Sequence, residues 1–247
     1  MYRYKLHIEY DGTGYSGWQK QENAVSIQET IEHAIHKLTK IQVTLYCAGR
    51  TDTGVHAIEQ VAHFDMEKYF ENHVLKRALN HFLKGTNIAI STVFSVADPN
   101  QFHARFSASA RSYTYKILNR NYPLTFQKNL YWWVAKPINV NNMFVASQLL
   151  LGTHDFSSFR AAGCQASSPI RTINSITVYS NHEEIILAIT AKSFLYHQVR
   201  NIMGSLVLVG LGKWNIATFK NIFHAKDRKL AGPTAPAHGL YLQTIHY

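Results

Sequence analysis

The sequence predicts an α+β fold of two ferredoxin-like α/β halves, with largely antiparallel sheets side by side forming a basic central cleft. Three observations lead there. Runs with apolar residues at every second position are separated by runs of helical spacing. Their order in the first half is strand, helix, strand, turn, strand, helix, strand, and the second half loosely repeats a helix, strand, strand, helix layout. Basic residues number 25 against 15 acidic ones and are spread along the chain rather than gathered in a tail. A cut at 105/106 gives domains 1–105 and 106–247, each close to the usual domain size.

Tyr4–Tyr10 alternates and reads as the first strand. Gly12-Thr13-Gly14-Tyr15-Ser16-Gly17 follows it in the form G-x-G-x-x-G. A dinucleotide fingerprint needs a helix opening at the third glycine, and none opens here. These glycines are read instead as a loop that lets backbone lie close to a ligand or neighbouring chain, and a methyltransferase is disfavoured on the same ground. The first helix starts at Ser26, where Ser26-Ile27-Gln28-Glu29 is a capping box ahead of Ile27, Ile31, Ala34, Ile35 and Leu38.

Strand-like runs Gln42–Cys47 and Gln60–Phe64 flank a polar turn, a helix pattern covers Glu71–Leu83, and Asn87–Val96 reads as a strand. Ala110–Lys116 is a further strand whose period places Arg111, Tyr113 and Tyr115 on one face. Asn119–Lys136 reads as an irregular connector, Asn139–Gly152 as an amphipathic helix closed by its glycine, and Thr153–Arg171 as loop-rich. Thr172–Tyr179 and Glu184–Thr190 are strands. Lys192–Gly204 opens a long apolar helix, Ala217–His224 is a shorter one, and Gly239–Ile245 is a closing strand.

Hydrophobic residues at 46% suffice for a core, so disorder is not the default reading. The longest apolar run, Ile202–Leu211, is about half the roughly 20 residues that span a bilayer. Met1–Lys5 leads straight into a strand with no signal-like core, so a soluble cytoplasmic protein with free thiols at Cys47 and Cys164 is expected. The 14 histidines show no H-x-x-x-H or H-E-x-x-H spacing and neither cysteine lies in C-x-x-C, so no metal is expected. A net charge of +10 with 13% aromatics favours a polyanionic partner in a folded basic cleft, nucleic acid or an anionic membrane face.

The chain is organised around Cys47-Ala48-Gly49-Arg50-Thr51-Asp52-Thr53-Gly54-Val55-His56-Ala57. Gly49 and Gly54 bracket Arg50–Thr53, so the backbone can fold tightly around one carboxylate, Asp52, and present it at a strand end. An isolated G-x-x-D-x-G is usually an ordinary turn with local caps. The full string is more specific. Together with Tyr10–Thr13, Gly17–Gln19, Phe102–Ala108, Arg111–Tyr113 and Phe194–Gly204, it resembles the bacterial tRNA pseudouridine synthase A family. Ser158–Ala161 and Gly239–Leu242 match the same pattern.

That resemblance implies a homodimer that converts uridines 38–40, on the 3′ side of the tRNA anticodon stem-loop, to pseudouridine. It implies that Asp52 is the catalytic carboxylate, Tyr113 the tyrosine that stacks on uracil, and Arg200 the active-site arginine. Arg50, beside the carboxylate, either intercalates or holds the flipped nucleotide's phosphate, or merely braces the loop; His56 is a further candidate substrate contact, and Arg105, Arg111 and Lys20 are weaker candidates for RNA backbone contacts. Thr53 stands where relatives often carry alanine.

The reaction breaks the N1–C1′ bond, rotates the uracil and joins C5 to C1′. Substrate and product are isomers, so no redox cofactor, nucleotide or metal is required. One ionised carboxylate serves as nucleophile at C1′ or as base at C2′, and the sequence leaves both open. Desolvation in a cleft would favour the neutral acid, and a bidentate guanidinium from Arg200 opposes it. Tyr113 offers a stacking face, and its hydroxyl can help remove the C5 proton.

Two rivals are weighed. A glycoside hydrolase acting on nucleosides usually needs two carboxylates, and the turn offers one. A non-catalytic RNA-binding protein or tRNA chaperone fits the charge and aromatics equally well.

Overall fold

The Ser26 hydroxyl accepts a hydrogen bond from the Glu29 backbone N–H at 3.2 Å, so the first helix begins where its capping sequence places it. The computed structural model describes residues 1–247 and is a mixed α+β structure. Its elements begin with β1 (Tyr2–Tyr10), α1 (Ile27–Thr39), β2 (Tyr46–Cys47), β3 (His56–Met66), α2 (Asn72–Phe82) and β4 (Ile88–Val96). They continue with β5 (Ala110–Asn119), β6 (Trp132–Val134), α3 (Val140–Gln148), β7 (Gly152–Asp155), β8 (Ile170–Asn181) and β9 (Glu184–Ala191). Helices α4 (Gln198–Gly210) and α5 (Ile216–Ala225) and strand β10 (Leu240–His246) close the chain. No helix is long and apolar enough to cross a membrane.

Contacts divide the chain into Met1–Arg111 with Tyr241–Tyr247, and Ser112–Leu240. These bounds differ from a cut at 105/106, because the final strand returns to the first unit.

In the first unit β1 lies between β4 and β3, antiparallel to both. Two short partners share the other edge of β3. β2 pairs antiparallel near its end (Tyr46↔His63), and β10 pairs parallel at its start (Tyr241↔His56). The polar turn 48–55 leads from the first of these partners into the strand itself. Alternate β1 residues Tyr4, Leu6, Ile8 and Tyr10 are buried, as are Ile27, Ile31 and Ile35 of α1 and Leu75 and Leu79 of α2. Each such aliphatic side chain contributes about 1.5–3 kcal/mol.

In the second unit the strand order is β5-β9-β8-β7, with β6 parallel to the end of β5. β7, β8 and β9 pair antiparallel. Helix α4 is buried nearly all round, with Val199, Ile202, Met203, Leu206 and Val209 in the core.

Several elements differ from their sequence reading. The run Gln42–Cys47 forms only a two-residue strand, because α1 side chains satisfy its backbone: Glu32 accepts from the Leu45 N–H at 2.9 Å, and Gln28 donates to the Leu45 carbonyl at 3.4 Å. The helix read as Asn139–Gly152 ends at Gln148, and Gly152, at φ +95°, opens β7 opposite Ile173. The connector 119–136 contains β6, held where the Asn119 amide donates to the Val134 and Lys136 carbonyls, each at 2.8 Å. The apolar helix proper starts only at Gln198, because His197 before it is left-handed at φ +58°.

Candidate active site

Backbone groups of the Asp52 turn are tied down by named partners. The Trp18 N–H donates to the Thr51 carbonyl at 3.0 Å, the Gln60 amide to the Gly49 carbonyl at 2.6 Å, and the Val55 N–H to the Asp52 carbonyl at 3.1 Å. The Thr51 hydroxyl meets the Tyr10 hydroxyl at 2.7 Å. Gly54, at φ +75°, closes the turn in a conformation that favours glycine. Thr51 and Val55 are therefore buried, Arg50 and Thr53 are exposed, and Asp52 is half-buried between them. The fold presents one carboxylate on a turn with little freedom to shift.

The glycines of the G-x-G-x-x-G segment make this possible. A Cβ on Gly12 would lie 2.2 Å from the Val55 carbonyl oxygen, and one on Gly17 would lie 2.6 Å from that of Thr51. Their loop packs against the turn itself, with Trp18, 1% exposed, beside it. The close approach expected of these glycines is therefore to the segment carrying Asp52.

His56 is buried at the foot of the turn. Its Nδ1 lies 3.0 Å from the Gly12 N–H and 2.9 Å from Asp11 Oδ1, and its ring stacks on Tyr241 at 4.7 Å. Arg111 donates to the carbonyls of Ala48 (2.9 Å), Arg105 (2.7 Å) and Ala108 (3.3 Å), tying the start of the turn to the segment before β5. Arg105 is exposed with its guanidinium 5.7 Å from the Phe106 ring, and Lys20 pairs loosely with Glu29 at 3.7 Å. Burial pushes the Cys47 thiol up to about 12, with Arg50 and Arg105 opposing, so no thiolate competes with Asp52 as nucleophile.

Tyr113 and Arg200 belong to the second unit. Tyr113 is half-buried on β5 and meets the Phe194 ring edge-on at 5.2 Å. Arg200 lies in the first turn of α4. Its Nε donates to the Ala235 carbonyl at 2.8 Å, and its own carbonyl accepts from the Ala235 N–H at 3.1 Å. The loop carrying Ala235 is strapped to the same helix: Arg228 donates to Asn201 Oδ1, Thr234 Oγ1 and the Gly232 carbonyl at 2.8–3.0 Å, and Thr234 donates to Asn201 at 2.7 Å. Gly204 admits this loop, since a Cβ there would lie 1.8 Å from the Pro233 oxygen.

Sequence reasoning missed these supports. Arg228 counted only as one of the dispersed basic residues, and Gln60 and Tyr10 as members of strands. Gln60 heads the run Gln60–Phe64 next to Glu59, and nothing in the sequence marked it as buried.

Residues 7–107 and 146–247 match the family described as tRNA pseudouridine synthase. The chain is 47% identical over 247 residues to a protein of Maricaulis maris named tRNA pseudouridine synthase A, covering 100% of this chain and 98% of that one. It is 47% identical over 249 residues to the protein of the same name from Bartonella henselae, covering 100% of both. A solved Cbf5–Nop10–Gar1 complex matches 83% of this chain and 54% of that one at 10% identity and a TM-score of 0.35, too slight a likeness to carry an argument.

Proposed function

The chain belongs to the tRNA pseudouridine synthase family, and on that premise we propose which residues carry its reaction and where on the tRNA it acts. It is an isomerase that converts tRNA uridine to pseudouridine. In our reading the target uridines lie at the 3′ side of the anticodon stem-loop. Asp52 is the single catalytic carboxylate, acting at C1′ or C2′. Tyr113 stacks on the extruded uracil, and Arg200 keeps Asp52 charged. Arg50, Arg105, Arg111 and His56 contact the RNA or hold the groups that do. The enzyme works as a cytoplasmic homodimer without a cofactor, and both units are ferredoxin-like halves. For the first unit, the order β4-β1-β3 with β2 paired to β3 supports that last point.

The observation that carries the reading is the Asp52 turn. A catalytic group gains most from being held in place before the substrate arrives, and this turn is clamped through Thr51, Gly49 and Val55 while Asp52 stays half-buried beside exposed Arg50. Asp52→Asn tests it. The variant keeps the shape of the side chain and removes its charge, so it is expected to bind tRNA normally and to lose turnover by about 10³-fold or more. Turnover at the parent rate would sink the assignment. Release of free uracil would instead favour glycoside hydrolysis.

A further inference from the structure

Next to the Asp52 turn the first unit displays aromatic rings that the chemistry above leaves unused. Phe106 is 76% exposed and Tyr46 50% exposed. Neither belongs to a loose loop. The Ser107 hydroxyl accepts from the His103 N–H at 3.0 Å, the Ser107 N–H donates to the His103 carbonyl at 2.9 Å, and His103 Nδ1 accepts from the Arg105 N–H at 3.1 Å. This closes residues 103–107 into a small rigid turn. Arg3 fixes its approach, donating to the Phe102 carbonyl at 2.6 Å while pairing with both Asp65 oxygens at 2.7 Å.

The rings themselves form a row. Tyr46 stacks on buried His63 at 5.3 Å, His63 meets His103 edge-on at 4.6 Å, and His103 underlies Phe106 at 4.4 Å. A phenyl ring held open on a well-braced turn offers its whole face to a partner that can stack on it, without first having to be ordered. The charge beside it says which partner. The exposed Arg105 guanidinium lies 5.7 Å from the Phe106 ring, and Arg111 ties the Arg105 carbonyl to that of Ala48, so this cation stands near the start of the Asp52 turn. An aromatic face flanked by a guanidinium suits a base with its phosphate, because the ring stacks and the cation neutralises.

We propose that Phe106, backed by His103 and flanked by Arg105, is a stacking site for an unpaired nucleobase of the RNA substrate other than the target uracil. This rests on the reading that the enzyme acts on tRNA through the Asp52 turn. The site holds the strand beside the target nucleotide, so its contribution falls on binding and not on the chemical step. A second copy of this chain is the other occupant such a ring could have, and the test separates the two.

The experiment measures binding of a tRNA transcript to full-length Asp52→Asn protein, over a range of salt, with and without Phe106→Ala, Phe106→Leu and Phe106→Trp. Alanine and leucine are expected to weaken binding about 5- to 150-fold at fixed salt, tryptophan to restore it to within about 3-fold, and the slope of affinity against salt to stay unchanged. Arg105→Gln is expected to reduce that slope by about one phosphate contact. In the Asp52 parent, Phe106→Ala raises KM and leaves kcat at saturating tRNA within about 2-fold. Binding by Phe106→Leu equal to the parent overturns the proposal. So does a loss of sedimenting mass in Phe106→Ala with tRNA affinity unchanged, which would assign the ring to a second copy. Full turnover by Asp52→Asn would defeat the catalytic reading while leaving the Phe106 result to stand or fall by itself.

Discussion

At the scale of single residues, the turn separates charge from position. Asp52 supplies the charge, and Tyr10, Gln60 and Trp18 supply the position through hydrogen bonds to Thr51 and Gly49. Tyr10→Phe removes the hydroxyl that meets Thr51 and, more weakly, Gln60, so it is expected to cost about 1–2 kcal/mol of stability, read in urea unfolding, with a smaller loss of kcat than any change at Asp52. Tyr113 offers a cleaner division. Phenylalanine keeps the ring that meets Phe194 and loses only the hydroxyl, so Tyr113→Phe should leave KM for tRNA nearly unchanged and lower kcat about 10- to 100-fold. An equal rise in KM would mean that the hydroxyl binds substrate rather than moving a proton. The Asp52 turn stood out in the sequence because its whole eleven-residue string resembles the pseudouridine synthase A signature; glycines bracketing a lone acid would by themselves have read as an ordinary turn. Its clamps were not legible, because a tyrosine and a glutamine in strands look like any others until the fold brings them to the turn.

At the scale of elements, glycines do the same task in the two units: Gly12 and Gly17 let their loop approach the Asp52 turn, and Gly204 within α4 lets the loop of Pro233 approach the helix that carries Arg200. Gly17 combines φ +91° with contact to the Thr51 carbonyl, so Gly17→Ala meets both backbone strain and a clash. The expected loss is about 2–4 kcal/mol, measured by denaturant unfolding, with reduced turnover in the fraction that still folds. In the second unit the strap acts through Arg200. Arg228→Gln leaves Arg200 in place and loosens the loop whose Ala235 carbonyl receives its Nε. A loss of kcat of about 10-fold is expected, and no further loss when Arg200→Gln is added, since the two then report one interaction. Additive losses would show that Arg228 merely stabilises the fold. The helix start at Ser26 was legible because capping is local chemistry, and the one near Glu71 from hydrophobic period alone, since Glu71 makes no side-chain cap; the start at Gln198 was hidden, because a left-handed His197 carries no sequence mark.

At the scale of the whole molecule, stability depends on pH through a buried histidine. His63 accepts from the Ala104 N–H at its Nδ1 and is enclosed by Tyr46 and His103, with Arg3 and Asp65 nearby. Burial, aided by Arg3 and His103, lowers its pKa from 6.5 to about 4. Between those values the unfolded chain binds a proton that the folded chain refuses. Stability from this source is therefore complete above about pH 6.5 and declines toward pH 4, by roughly 2–3 kcal/mol. His103, lowered for similar reasons, adds in the same direction, whereas Asp65, held low by Arg3, loses its contribution only at more acid pH. Urea midpoints at several pH values test this, and His63→Gln should flatten the decline. The +10 charge makes a second whole-molecule expectation: KM for tRNA rises steeply with salt while kcat changes little.

What the sequence by itself determined is local. Hydrophobic period placed most helices and strands, a signature string marked the Asp52 turn, and the composition pointed to a polyanion, because each of these depends on neighbours within a few residues along the chain. The tertiary structure decided the rest. Only the folded chain returns Tyr241–Tyr247 to the first unit, sets Gly12 and Gly17 against the turn, and raises Phe106 on a braced corner. Those outcomes depend on contacts between segments far apart in sequence, where packing and shared hydrogen bonds, not local propensity, choose the arrangement.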